Sequence, residues 1–340
     1  MTGPVISDVA ALAKVSQATV DRALNKRPGV REVTAKRVLQ AAADLGYLAE
    51  DELFKALRPK PMRIVFLLPA GTNPYLRLLG KILKDTAQRT DHNATVRVFF
   101  IDSFNPQLLS EALRRYGAKA DGVAFMAIDH PLVRETVAAL HAKGKSVVTI
   151  VSDISNSSRI AYVGLDNRAV GRTAAYLLGR FAGPARGSVA LIAASRTYRA
   201  HEEREMGFLS LIAESFPDLK VVSLREGHDD RDENYHHTIK LLSAHPDLLG
   251  IYNVGGSSDG IARALREKPR AKRILFIGHG LTPDTRAFLL EDVMDVVITQ
   301  SPQTIVQNAL QVFTNVRNGL APLTGLPPLV METVVKESLP

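Results

Sequence analysis

The sequence predicts an α-helical helix-turn-helix head joined to a larger α/β core of two doubly wound parallel-sheet subdomains. Three observations carry that class. Across residues 7–45, apolar side chains recur at helical spacing in three short segments parted by turn residues. From Arg63 onward, runs of Val, Ile and Leu alternate with helical patterns, as strands do in parallel sheets covered on both faces. Between these regimes lies a charge-dense, proline-containing stretch, residues 48–61.

In the head, Val9, Leu12 and Ala13 mark a first helix, and Val20, Ala23 and Leu24 a second. Ser7 and Ser16 each stand where an N-cap hydroxyl would accept the first free amide protons. Asn25 and the Pro28-Gly29 pair stop the second helix, and a third spans residues 32–45. Such a pair of helices can lay its second member in the DNA major groove. There Gln17 suits adenine, Ala18 and the Thr19 methyl suit a thymine methyl, and Arg22 suits a guanine edge or a phosphate. Between Lys14 and Arg37 seven cations stand against two anions, a surplus that attracts a phosphate backbone. A small helical cap with a solvated basic face would carry the same charge run.

The ordered set Asp8-Val9-Ala10, Val15-Ser16, Ala18-Thr19-Val20, Arg22, Leu24-Asn25, Pro28-Gly29-Val30, Thr34, Arg37-Val38, Ala41-Ala42 and Leu45-Gly46-Tyr47 resembles the head of the lac repressor family of bacterial regulators. The resemblance implies double-stranded operator DNA as partner, with contacts from Ser7, Ser16, Gln17, Ala18, Thr19, Arg22, Asn25, Val30 and Lys36. It also implies a homodimer on near-palindromic sites, a sugar-like effector, and repression relieved by that effector. No cofactor, metal or catalytic residue is expected. Asp21 departs from the family's usual Ser, and a carboxylate there would repel a phosphate or select a cytosine amino group.

The linker, residues 49–61, joins the acidic Glu50-Asp51-Glu52 to the basic Arg58-Pro59-Lys60-Pro61, and its two prolines forbid a continuous helix. In the family this segment forms a hinge helix with an apolar wedge in the minor groove. Leu57 or Leu53 can serve as that wedge, although an ungapped comparison puts Ala56 there; a plain amphipathic linker is the other reading.

Composition sets the outer bounds. The 340 residues suffice for a head and a two-part core, and an apolar share of 46% fits a folded chain. The net charge of +8 favours a polyanionic partner. The absence of cysteine excludes disulfides and thiolate metal sites. Charges interrupt every apolar run near the start, so no signal peptide is expected, and no run approaches the ~18 apolar residues of a membrane span. A cytoplasmic protein is the expectation.

The core, residues 62–340, offers strands near 64–68, 96–101, 122–126, 146–151, 188–193, 220–224, 250–252, 273–277 and 293–299. This layout resembles the periplasmic sugar-binding fold that forms the core of the lac repressor family. It implies a head at 1–48, a first subdomain at about 62–163 and 300–323, and a second at about 164–298 and 326–340. The crossings then fall near 163–166, 298–300 and 323–326, with a ligand cleft between subdomains at the carboxyl ends of the strands. Asn73, Asn253, Gln300 and Arg204 sit just after strands or at helix starts, where amides and a planar guanidinium match sugar hydroxyls. Tyr75 and Tyr198 offer flat apolar faces, and Asp153 an acceptor for hydroxyl protons. Alone, each such Asn or Asp is as well explained as a cap or loop bond. His279 stands where sugar-binding relatives usually carry Asp. A histidine there can carry charge near neutral pH and suits an acidic effector such as a sugar acid, unless it is only a solvated loop residue.

Two motifs invite other chemistry. Gly256-Ser257-Ser258-Asp259-Gly260 matches the G-x-S-x-G of a nucleophile elbow, but only Asp259 and Glu267 lie between Ser258 and the last histidine, His279, so no relay can be assembled. His228, Asp229, Asp230, Asp232, His236 and His237 cluster without metal-ligand spacing and read as an acidic helix start. An enzyme is therefore not expected; the competing class is a sugar-uptake receptor without DNA function.

Overall fold

The computed structural model describes residues 4–49, 52–53, 60–88, 94–102, 104–193, 195, 197–268 and 273–339, and the chain divides into two compact units after Pro61. The linker wedge expected at Leu57 lies outside the described residues.

The first unit contains α1 (Ile6–Ala13), α2 (Gln17–Leu24) and α3 (Glu32–Asp44). Val9, Ala13, Val20, Ala23, Val38 and Ala42 are buried together, one stripe from each helix, with Val30 packed at their edge. Ser16 caps α2 as its position requires, its Oγ accepting the Thr19 N–H at 3.2 Å. Ser7 does not cap α1: it lies inside the helix, whose N-cap is Val5. The Asp8 carboxylate accepts the Val5 N–H at 2.8 Å and so starts the helix earlier. Leu12 is exposed rather than part of the core.

The second unit contains two parallel sheets, as its apolar runs predict. In the first lobe, β1 (Met62–Pro69), β2 (Ala94–Ile101), β3 (Gly122–Phe125), β4 (Ser146–Ile150) and β5 (Ala161–Val163) are ordered β2-β1-β3-β4-β5, all parallel. Between them run α4 (Pro74–Gln88), α5 (Pro106–Ala112) and α6 (Pro131–Ala142). The three-residue β5 is too short for a period to announce it.

The second lobe contains β6 (Gly187–Ala193), β7 (Leu219–Glu226), β8 (Leu248–Asn253), β9 (Leu275–His279), β10 (Val296–Thr299) and β11 (Glu332–Val334), ordered β11-β10-β9-β8-β6-β7. Only β11 runs antiparallel. Its helices are α7 (Asn167–Ala182), α8 (Arg199–Ser215), α9 (Arg231–Ala244), α10 (Ser258–Glu267) and α11 (Pro283–Leu290). Alternation along β6 shows the two covered faces. Val189, Leu191 and Ala193 join the cluster of Val170 and Phe208, while Ala190 and Ile192 join that of Leu241, Ile261 and Phe288.

The chain passes from β5 to α7, then back from β10 to α12 (Pro302–Arg317), whose Ile305, Ala309 and Phe313 complete the first lobe's core. The third crossing comes later than 323–326. Asn315 donates to Pro322 O and Thr324 O, and Asn308 to Pro327 O, which holds this run on α12. Leu326 packs only on the first lobe's cluster, Leu329 touches both, and Met331 packs only on the second.

Candidate functional site

A cleft of about 560 Å³, its open mouth included, lies between the lobes where the strands end. Asn73 and Tyr75 reach it from the start of α4, His201 and Arg204 from one face of α8, His279 from the end of β9, and Gln300 from just after β10. Leu76, Met126, Val151, Leu165 and Ile298 supply apolar walls.

Arg204 is the charged centre. It is buried, its Nε donates to Asn167 Oδ1 at 2.9 Å, and its Nη1 donates to Val254 O at 2.9 Å. Both acceptors are neutral. Burial lowers the guanidinium's pKa, while Tyr252, Tyr162, Tyr75 and Asp229 pull it the other way. The position is fixed by a close crossing of α7 and α8: a Cβ on Gly171 would lie 1.9 Å from Arg204 O, and one on Gly207 would lie 2.2 Å from Arg168 O. Only glycine permits that approach.

Both histidines are held neutral. Burial lowers the His201 pKa to about 4, and burial together with the Arg204 charge lowers His279 well below the ordinary range. The charge that His279 would carry near neutral pH in a solvated loop is therefore not available. His201 Nδ1 lies 3.0 Å from Ser195 O and 3.4 Å from Ser195 N, so the Ser195 backbone holds the ring by this nitrogen. Tyr252 O–H faces His279 Nε2 at 2.8 Å, and burial raises the Tyr252 phenol. The Tyr75 hydroxyl donates to the Gln300 backbone carbonyl at 3.1 Å, while the Gln300 side-chain Oε1 is buried with no hydrogen-bond partner.

Asn73 serves the fold and the cleft together. Its Oδ1 accepts the Tyr75 and Leu76 N–H groups, and its Nδ2 donates to Asp229 Oδ2 at 2.8 Å across the lobes. Asp229 Oδ1 accepts the Gly256 N–H at 2.6 Å, and the Asp229 carbonyl accepts the hydroxyls of Thr72 and Ser257. Asp129 N–H to Thr197 O (3.1 Å) and Ala200 N–H to Ser152 Oγ (3.3 Å) add further bonds across the lobes.

Three residues expected at the cleft are directed elsewhere. Asp153 is ion-paired with Arg159 and accepts the Thr149 hydroxyl at 2.6 Å. Asn253 donates to Gly256 O and Ser258 Oγ, tying down its own loop. Tyr198 packs edge-on against Phe104 and lines a neighbouring hollow with His228 and Asp229. In each case a local partner wins over the cleft. Conversely, His201 and Asp229 are missing from the residues selected by sequence. The three-residue spacing of His201 and Arg204 on one helix was the available signal for the first. For Asp229, which lies in the left-handed region at φ 53°, there was only the polar cluster read as a helix start.

The remaining motifs resolve locally. Ser258 Oγ accepts from Asn253, and His279 Nε2 faces Tyr252, so the elbow has no base. His228 lies 2.8 Å from Glu233, and among the described residues no group of three or more His, Asp or Glu could hold a metal ion. Among the same residues, no helix is long and apolar enough to cross a membrane.

On the head, Ser16, Gln17, Ala18 and Arg22 are exposed along the start and outer face of α2, and Thr19 is half-exposed. Asp21 is occupied: Asn25 Nδ2 donates to it at 2.7 Å and Arg27 Nη1 at 3.0 Å. Asn25 is thus turned onto its own helix, and Lys36 pairs with Glu32 at 3.1 Å.

Comparison with known proteins agrees with this geometry. Residues 64–321 match the periplasmic binding protein domain, and residues 5–50 match the bacterial regulatory proteins of the lacI family. Catabolite control protein A of Streptococcus mutans is 26% identical over 175 residues, 52% of this chain and 51% of that protein, so the match spans about half that relative's length. The ribose operon repressor of Halalkalibacterium halodurans is 27% identical over 258 residues, 76% of this chain and 72% of its own. Among solved structures, the glucose-galactose binding protein GanP of Geobacillus stearothermophilus superposes with a TM-score of 0.74 at 22% identity, covering 83% of this chain and all of that one. A lacI-type head and a periplasmic-binding core in one sequence place the chain in the lacI family of bacterial regulatory proteins.

Proposed function

We propose that the protein is a sequence-specific DNA-binding transcription regulator, acting as a repressor and as a homodimer, whose core cleft binds a small polar sugar-like metabolite. The observation that carries this reading is the joining of a lacI-type head, with Gln17, Ala18 and Arg22 exposed on α2, to a cleft of sugar-binding type. Gln17 and Arg22 read base edges, Ser16 and Lys36 hold the backbone, and a wedge near Leu57 enters the minor groove. The metabolite acts by binding one arrangement of the two lobes better than another, and shifts DNA affinity by no more than that difference. The test is selection of genomic duplex fragments by the full chain and by a chain lacking residues 1–61. A near-palindromic motif enriched only by the full chain supports the regulator; equal recovery by both refutes it and leaves a solute receptor.

A further inference from the structure

We infer that the cleft ligand is a hydroxy-carboxylic acid, with its carboxylate on Arg204 and its hydroxyls on Gln300 and His201. This deepens the reading of the cleft as a metabolite site and rests on it. The first argument is charge. Among the described residues, those lining the cleft include one guanidinium and no Asp or Glu. The carboxylate that reaches Arg204 electrostatically, Asp229, has both oxygens taken by Asn73 Nδ2 and Gly256 N–H. Two of the five Arg204 N–H donors are used, both on neutral oxygens, which leaves three for a ligand. A buried cation without a counter-ion is costly, and a carboxylate ligand supplies the counter-ion together with a planar fork of acceptors.

The second argument separates a carboxylate from a phosphate. A phosphate is ordinarily held by several donors, often the free N–H groups of a helix N-terminus. Here four such groups are spent. Tyr75 N–H and Leu76 N–H go to Asn73 Oδ1, Ala200 N–H goes to Ser152 Oγ, and Gly256 N–H goes to Asp229. Among the described lining residues Arg204 is the cation, and one guanidinium matches one carboxylate.

The third argument concerns the rest of the ligand. Gln300 Oε1 is a buried acceptor without a donor, and His201, held at Nδ1 by the Ser195 backbone, lines the same cleft. Both call for ligand O–H groups. The apolar walls of Met126, Val151, Leu165 and Ile298 suit the C–H faces of a carbon chain or ring.

The experiment is calorimetric titration and thermal denaturation of the full chain, which has no tryptophan to report binding. The probes are gluconate, glucuronate, galacturonate, glycerate and lactate, each against its uncharged parent alcohol or aldose, with glucose 6-phosphate as the phosphate probe and chloride matching ionic strength. At least one acid is expected to bind and raise the melting temperature while its neutral parent does not. Arg204→Gln is expected to weaken that acid about a hundredfold. Gln300→Glu, which sets a carboxylate beside the hydroxyls, should weaken it as well and leaves Arg204 in place should the first variant fold poorly. Binding of a neutral sugar at equal or greater affinity overturns the proposal, as does preference for the phosphate, or no shift with any acid. None of these results touches the duplex selection, so the regulator can survive the loss of this ligand class.

Discussion

Asn73 Nδ2 stands 2.8 Å from Asp229 Oδ2 and joins the first turn of α4 in one lobe to the loop before α9 in the other. The Thr72 hydroxyl on the Asp229 carbonyl makes the same link a second time, and the Ser257 hydroxyl holds that carbonyl from within its own lobe. Asn73 and Thr72 thus latch the first lobe onto Asp229 of the second. Asp229→Ala is expected to enlarge the radius of gyration of the ligand-free protein in small-angle scattering, and to lower stability by about 1–3 kcal/mol. An unchanged scattering profile would show that the remaining contacts hold the lobes by themselves.

Arg22 and Lys36 separate reading from holding. Arg22→Ala should weaken binding to the selected operator by about 1–3 kcal/mol and relax one base position. Lys36→Ala should weaken all duplexes alike and flatten the salt dependence by about one ion, the Glu32 pair notwithstanding. Fluorescence anisotropy over a salt series distinguishes them, and a base-selective loss in the lysine variant would reverse the assignment.

Asp21 bonds to Asn25 and Arg27 and so withholds a cation from DNA. Asp21→Ser frees Arg27 and removes a negative charge. Affinity for unrelated duplexes should rise severalfold, with a salt slope steeper by about one unit. A fall in affinity would mean that the pair positions the loop after α2.

Stability should depend on pH through the cleft histidines. His201 titrates near 4 in the folded chain and at about 6.5 when unfolded, so between those values the unfolded state binds more protons. The contribution of His201 to folding stability is then complete above about pH 6.5, falls as pH drops, and levels near pH 4, with a loss of about 3 kcal/mol. His201→Gln should remove this part of the slope in urea titrations and leave the part that His279 carries. A slope identical to the parent's would assign the pH response to other groups.

Gly171→Ala tests the α7–α8 crossing. Its Cβ would meet Arg204 O at 1.9 Å, so the helices must part. A loss of about 1–3 kcal/mol is expected in urea denaturation, together with weaker ligand binding because the Arg204 backbone moves. Full stability with full binding would show that α7 and α8 can part without disturbing the guanidinium.

The two-sheet core and the capped second helix were legible because period and cap chemistry are local. The same locality explains the misses. Asp153 and Asn253 sit after strands as cleft residues do, but Arg159 and the loop at Gly256 claim them, and such pairings depend on turns that no periodicity encodes. Arg204 was legible, whereas the lack of Asp and Glu among the described residues lining its cleft emerges only when residues far apart in sequence form one wall. Ser7 looked like a cap until Asp8 folded back on Val5.

The return of α12 to the first lobe has a consequence for synthesis. Phe313 would be struck by any side chain at position 122, so the floor of β3 is finished by a helix that leaves the ribosome nearly two hundred residues later. Until then the sheet of the first lobe stands with that part of its face uncovered, while β6 to β10 emerge and pair. The nascent chain therefore carries a half-covered apolar sheet through most of its own elongation, and the lobe written first is completed only after β6 to β10 of the other have been made.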